Sequence, residues 1–245
     1  MDVLQNKFFA WSDANKLKKA DPDSIFEISD ARSSIVNIIS DLFKGGLEPL
    51  ALSFAWIQLY LLHFPDWQDI IFDEIETLTE GKRLPSLDDK SKAFQTNAFI
   101  AESLRKTGLF FAGLPRSNPE AIQVEKFELP AGTQILPNLY HILNDPEHWE
   151  NPDEFNPRRF LNKDGSEFLL NERIFIPFST GSRRCVGEKL AENLLFVLLA
   201  TTVQNFRLES SKNLKKLPGI EANATDPTGI LRTPPEFSIV FHPRK

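Results

Sequence analysis

The 245-residue chain holds a single cysteine, Cys185, so it has no internal disulfide framework, and its free thiol fits a reducing compartment. Its four histidines, at 63, 141, 148 and 242, include no pair at i, i+4, and no zinc site is indicated. Basic blocks are also lacking. With a net charge of −6, this argues against nucleic acid or an anionic membrane as the main partner. Long hydrophobic runs are missing too: the most apolar stretch, Leu50 to Leu62, contains Ser53 and Gln58 and falls short of the ~20 residues that cross a bilayer. Residues 1–11 lack the basic start and apolar stretch of a signal peptide. There is no internal repeat and no low-complexity tract. What remains, 41% hydrophobic and 25% charged residues, is ordinary for a globular chain with a substantial core.

Elements follow from periodicity. Ser29-Asp30 signals a helix start. Apolar residues then recur from Ile35 through Phe43, Leu50, Phe54, Ile57 and Leu61, which predicts one long helix over about 30–63 and about 45 Å. Pro65-Asp66 restarts a helix through Leu78, and a further helix is expected over about 88–107. From Pro115 the helical period fades. Ala121–Phe127 and Thr133–Leu136 read as two short strands around the turn Pro130-Ala131-Gly132, and 145–177 reads as an irregular proline-rich stretch. A helix over about 186–203 places Leu190, Leu194, Val197 and Leu198 on one face, and Arg207–Glu209 and Phe237–Phe241 alternate as strands. The sum is a mainly α body with small β-sheets, an α+β class.

The lone cysteine stands where that late helix begins, beside backbone N–H groups without intrahelical partners and the positive end of the helix dipole. Both favour its thiolate. Arg183 and Arg184 add positive charge, and Gly181 and Gly187 let a flat ligand approach the backbone. A buried, inert cysteine at a helix start is the plain alternative.

The run Phe178-Ser179-Thr180-Gly181-Ser182-Arg183-Arg184-Cys185-Val186-Gly187 resembles the haem-ligand loop of the cytochrome P450 family, Phe-x-x-Gly-x-Arg-x-Cys-x-Gly. Phe178, Gly181, Arg183, Cys185 and Gly187 fill every fixed place. The resemblance implies haem b (iron protoporphyrin IX) with Cys185 as its metal ligand and Arg183 on a propionate. Glu102, Arg105 and, in Phe155-Asn156-Pro157-Arg158-Arg159-Phe160, Arg159 match the family's Glu-x-x-Arg helix and the arginine that closes a buried triad with it. Read alone, Glu102 and Arg105 are an ordinary i, i+3 pair worth at most about 1 kcal/mol. Arg116 matches a position that can bond the other propionate, and Phe110, Phe111, Leu114 and Ile230 fall at substrate-pocket positions. Simple core packing is the alternative for each of these four.

Asp41 to Leu50 aligns with the family's distal helix, where an acid and an alcohol help deliver protons. Gly45, Gly46 and Glu48 fit, but Pro49 replaces the usual threonine. Proline has neither hydroxyl nor N–H, would free the Gly45 carbonyl and kink the helix; the next hydroxyl is Ser53. Water carrying protons from Glu48 is the alternative.

The resemblance therefore implies residues 1–245 as the C-terminal part of a single cytochrome P450 domain. Its parts would be the distal helix about 30–63, the Glu-x-x-Arg helix about 88–107, the meander about 145–177, the ligand loop 178–187 and the proximal helix about 186–203. The family is about twice this length, so a fragment, a truncated product or an incomplete gene model is expected, with the apolar face of its long helix exposed. The details look most like the animal microsomal branch. The implied activity is monooxygenation of a lipophilic small molecule, with electrons from an NADPH–cytochrome reductase or a cytochrome b-type donor docking near Arg183, Arg184 and Lys189. A full-length parent would sit on the cytosolic face of the endoplasmic reticulum membrane. Two other readings stand beside it: a reductase-independent haem-thiolate isomerase or dehydratase of peroxides, which Pro49 would permit, and a truncated, non-catalytic haem-binding protein.

Overall fold

A computed structural model describes residues 31–211, 216–220 and 231–244. The expected turns within 1–20, the Ser29-Asp30 start signal and Ile230 lie outside the described residues. The chain divides into two units, Met1–Gly45 and Gly46–Lys245. In the first, the described residues are the opening turns of helix α1 (Ala31–His63), and Val36, Ile38, Leu42 and Phe43 are exposed there.

The second unit carries the core. The last turns of α1 bury Trp56, Ile57, Leu59, Tyr60 and Leu61; α2 (Asp66–Thr79) buries Trp67, Ile71 and Ile75; α3 (Phe94–Thr107) buries Ala98, Phe99 and Ile100. Helix α5 (Glu188–Asn205) adds Leu195, Phe196, Leu199, Ala200 and Val203. Full burial of such side chains contributes about 1.5–3 kcal/mol each, the main favourable term here. Phe155 from the irregular stretch joins this core by stacking on Tyr60 at 4.3 Å and Phe64 at 4.7 Å, with an edge contact to Phe99 at 5.3 Å.

Polar side chains in and beside the core stand in for missing backbone partners. Helix α3 has no side-chain cap of its own at Ala93. Glu74 of α2 supplies one, accepting from Gln95 N at 2.8 Å, Thr96 N at 2.9 Å and Thr96 Oγ1 at 2.7 Å. Burial raises the Glu74 carboxyl above its ordinary range against the pull of those bonds. Gln68 accepts from Leu208 N at 2.8 Å and donates to Leu208 O at 3.0 Å, pairing a strand edge that would otherwise be buried unsatisfied.

Among the described residues the sheets are three antiparallel pairs: β1 (Arg116–Ser117) with β4 (Gln134–Ile135), β2 (Ile122–Val124) with β3 (Phe127–Leu129), and β5 (Phe206–Ser210) with β6 (Ile239–Pro243). A short helix α4 (Leu139–Asn144) follows β4. Two expectations are corrected. Ala121–Phe127 is not one strand, because Glu125 adopts a left-handed φ of 51° and the chain folds back into a hairpin. In the late helix Leu190, Leu194 and Leu198 are exposed while Leu195, Phe196 and Leu199 are buried. That helix is apolar on both faces, so periodicity cannot choose between them. The third helix also starts later than expected, with the single turn Lys90–Lys92 before it.

Candidate functional site

Cys185 lies between a single 3₁₀ turn (Gly181–Arg183) and the 18-residue helix α5. Its sulfur is free and exposed. The Cys185 amide donates to Phe178 O at 3.0 Å, and its carbonyl accepts from Glu188 N at 3.4 Å, so the residue bridges loop and helix. The turn that delivers it needs left-handed backbone at Ser179 (φ 66°) and Gly181 (φ 74°). A β-carbon on Gly181 would meet nothing within 4 Å, so backbone strain of about 1–2 kcal/mol, rather than space, is what disfavours other residues there. Phe178 packs against the main core and anchors the start of the loop.

Arg116 on β1 donates to Ser179 Oγ at 2.7 Å and Thr180 O at 3.2 Å, tying the sheet to the loop. Arg184 forms an i, i+4 ion pair with Glu188, and Lys189 lies 3.6 Å from Glu192. Arg183 is exposed and forms no hydrogen bond or ion pair among the described residues. Of the cations around the cysteine, it is therefore a side chain with its charge unspent.

Glu102, Arg105 and Arg159 are brought together. Glu102 and Arg105 are both 0% exposed. Arg105 Nε donates to Glu102 Oε2 at 2.7 Å and its Nη2 to Glu102 Oε1 at 2.8 Å; Arg159 Nε and the Asn156 amide reach Oε1 at 3.2 and 2.8 Å. The remaining Arg105 donors reach Leu143 O at 2.9 Å and Pro152 O at 3.0 Å, and the guanidinium sits 5.3 Å from the centre of the Trp149 ring. A buried ion pair survives only when its lone pairs and protons are satisfied in this way. The Asn156 amide and Trp149 were not legible from spacing, since nothing local marks a residue that meets a partner more than forty positions away.

Pro49 lies inside helix α1, which runs unbroken as one helix from Ala31 to His63. Glu48 is exposed and forms no hydrogen bond or ion pair among the described residues; Ser53, one turn on, is buried. Phe110 and Phe111 are half-buried and Leu114 is exposed, all on the loop after α3. Among the described residues the contacts gather two groups: the Cys185 loop tied to Arg116, and the triad.

Among the described residues no three His, Cys, Asp or Glu side chains converge on one point. A metal held by Cys185 must bring its other ligands with it, as a porphyrin does. The exposed sulfur at a helix start, the open Gly181 and the unspent Arg183 fit such a group. No single described helix is long and apolar enough to cross a membrane; helix α1 from Ser33 and α2, bent by 110°, pass that test only as a pair.

A family model described as Cytochrome P450 matches residues 18–241. Similar curated proteins include Cytochrome P450 2U1 of Homo sapiens, 37% identical over 179 residues, 73% of this chain and 32% of that protein. Cytochrome P450 2B19 of Mus musculus is 35% identical over 207 residues, 84% of this chain and 41% of that protein. Farnesoate epoxidase of Bombyx mori is 34% identical over 206 residues, 84% of this chain and 40% of that protein. The chain thus spans between 32% and 43% of the length of these and the other similar proteins compared.

Proposed function

The chain belongs to the cytochrome P450 family, and from that membership we propose that it carries the haem-ligand part of a haem-thiolate monooxygenase acting on a lipophilic small molecule. The observation that carries the reading is the exposed Cys185 sulfur at the start of α5, inside a loop that fills the family pattern. Cys185 would ligate haem b, Phe178, Gly181 and Gly187 would shape the loop against it, and Arg183 and Arg116 would meet its propionates. When bound, the haem supplies the site where dioxygen is reduced and one oxygen atom is transferred, with a thiolate ligand favouring O–O cleavage.

The chain's own residues have narrower tasks. The unpaired N–H groups at the start of α5 would soften the charge of an iron-bound sulfur. Arg116 holds the loop at Ser179 and Thr180, so its reach to a propionate would trade these contacts or share them. The triad locks the irregular stretch onto α3. Glu48 would be the acid of the distal helix, and with Pro49 in place of an alcohol a proton would pass by water or by Ser53. Phe110, Phe111, Leu114 and Ile230 would wall an apolar pocket.

Electrons would reach the protein from an NADPH-fed flavin reductase or a cytochrome b-type donor. The face around Arg183, Arg184 and Lys189 would form such a dock, with Arg184 and Lys189 paired to Glu188 and Glu192 in the free protein. By family membership the protein would work at the cytosolic face of the endoplasmic reticulum membrane. Pro49 favours a second reading, a reductase-independent isomerase or dehydratase of a peroxide, because that chemistry needs no hydroxyl relay.

The test is the spectrum of the haem-loaded, reduced protein under carbon monoxide. A far red-shifted Soret band is expected, and Cys185→Ser should abolish it; a serine variant that keeps the band would refute the assignment. Product formation with NADPH and reductase supports the first reading. Turnover of a lipid hydroperoxide without reductant supports the second. Neither, with haem bound, marks a non-catalytic haem protein.

A further inference from the structure

Arg232 lies two positions after Ile230 and joins three distant segments of the fold. It is 5% exposed. Its Nη1 donates to Thr107 O at 3.0 Å, at the end of α3, and its backbone N–H donates to Leu109 O at 3.0 Å. Its own carbonyl accepts from Trp56 Nε1 of α1 at 2.8 Å. The guanidinium stacks on Tyr140, 4.5 Å from the ring centre, and the Tyr140 amide donates to Phe111 O at 2.9 Å. The Arg232 side chain thus pins the carbonyl of residue 107 and stacks on Tyr140, while the backbone N–H groups of Arg232 and Tyr140 pin the carbonyls of 109 and 111. Gly108 completes the seat: its φ is 50°, and a β-carbon there would come within 3.1 Å of Tyr140 Cδ2.

The loop held in this way is the one bearing Phe110, Phe111 and Leu114. Its backbone is anchored, but these apolar side chains are half-buried or exposed and so are not consumed by the core. Fixed backbone with unspent apolar side chains is what a rigid binding wall requires. The far end of the anchor, Trp56, is two helical turns beyond Pro49, about 10 Å along the helix axis. Arg232 therefore references the wall to the helix that carries Glu48.

Resting on the haem-binding reading above, we propose that Arg232 is a positioning residue that sets substrate selectivity, holding the Leu109–Leu114 loop in register with helix α1 through Thr107, Tyr140 and Trp56. It touches no reacting atom in this scheme; it decides which apolar shapes the loop accepts.

The test compares the full chain with Arg232→Met, which loses the donors and the flat cation, and with Arg232→Lys, which keeps the charge and a donor but not the flat guanidinium. In the haem-loaded protein, imidazole and 4-phenylimidazole are titrated by their spectral shifts. Arg232→Met should leave imidazole affinity unchanged while the preference for the phenyl derivative falls about tenfold, with partial recovery in Arg232→Lys. An unchanged preference overturns the proposal, as does an equal loss of both ligands, which marks a merely structural role. Independently of haem, amide exchange of Gly113 and Tyr140 should quicken about tenfold in Arg232→Met. Unaltered exchange overturns the anchor. Tyr140→Leu, which removes the stacking partner only, carries the same expectations if Arg232→Met does not fold. A wild-type chain that takes up no haem defeats the functional reading, and the exchange measurement then still decides the anchor.

Discussion

Replacing Glu102 by glutamine leaves the shape of the triad intact and removes one charge. Arg105 is then a guanidinium with no solvent exposure and no anion, and Arg159, 10% exposed at its side chain, loses the same partner. The two Arg105 bonds to the carboxylate, at 2.7 and 2.8 Å, become one at best, because the amide NH₂ of glutamine points a donor at a donor. Stranding one member of a buried pair costs about 3–5 kcal/mol. For a chain of this size each 1 kcal/mol lowers the melting temperature by about 2–4 °C, so Glu102→Gln should melt roughly 6–20 °C below wild type. The double variant Glu102→Leu with Arg105→Met removes both charges and should be less destabilised than the sum of the two single changes. Thermal melts followed by circular dichroism, with urea titrations as a check on two-state behaviour, measure this. A Glu102→Gln protein within 1 kcal/mol of wild type, or strict additivity in the cycle, would show that the pair carries no buried charge to strand.

Three further changes probe other links. The Arg83 guanidinium beside Asp89, at 2.7 Å from both carboxylate oxygens, holds that carboxyl well below the usual carboxylate range, with the Ser86 amide assisting. Because the folded value is depressed, this stabilisation is full above the unfolded value of about 4 and fades as the pH falls below it. Urea midpoints measured from pH 6 down to 2 should fall less steeply for Asp89→Asn than for wild type. Gly108→Ala should destabilise the fold by about 1–2 kcal/mol from its left-handed backbone alone, with the Tyr140 contact adding to that, read by the same melts. Pro49→Thr should raise the fraction of reductant converted to product if the missing hydroxyl limits proton delivery; unchanged coupling in the reconstituted system would point to a water path from Glu48.

Much of the fold is written in local spacing. The long helix runs from Ala31 to His63 against an expected 30–63, because apolar residues recur at a period that only a helix of that length satisfies. The loop around Cys185 is likewise local, since its glycines, phenylalanine and cysteine act within ten positions. Where spacing was ambiguous it misled. Ala121–Phe127 alternates like a strand, yet Glu125 turns left-handed and the hairpin closes on Phe127–Leu129 instead.

The sequence by itself determined the existence of the longer helices, the cysteine at the head of α5 and the family pattern around it, since these depend on residues within a few positions of each other. Which face of α5 is buried, how Glu102 gathers Arg105, Arg159 and the Asn156 amide, and how Arg232 joins Trp56 to the loop after α3 were decided only in three dimensions. Periodicity registers a neighbour one turn away. A buried charge must find donors or acceptors wherever the packed chain brings them, and that address is a property of the fold.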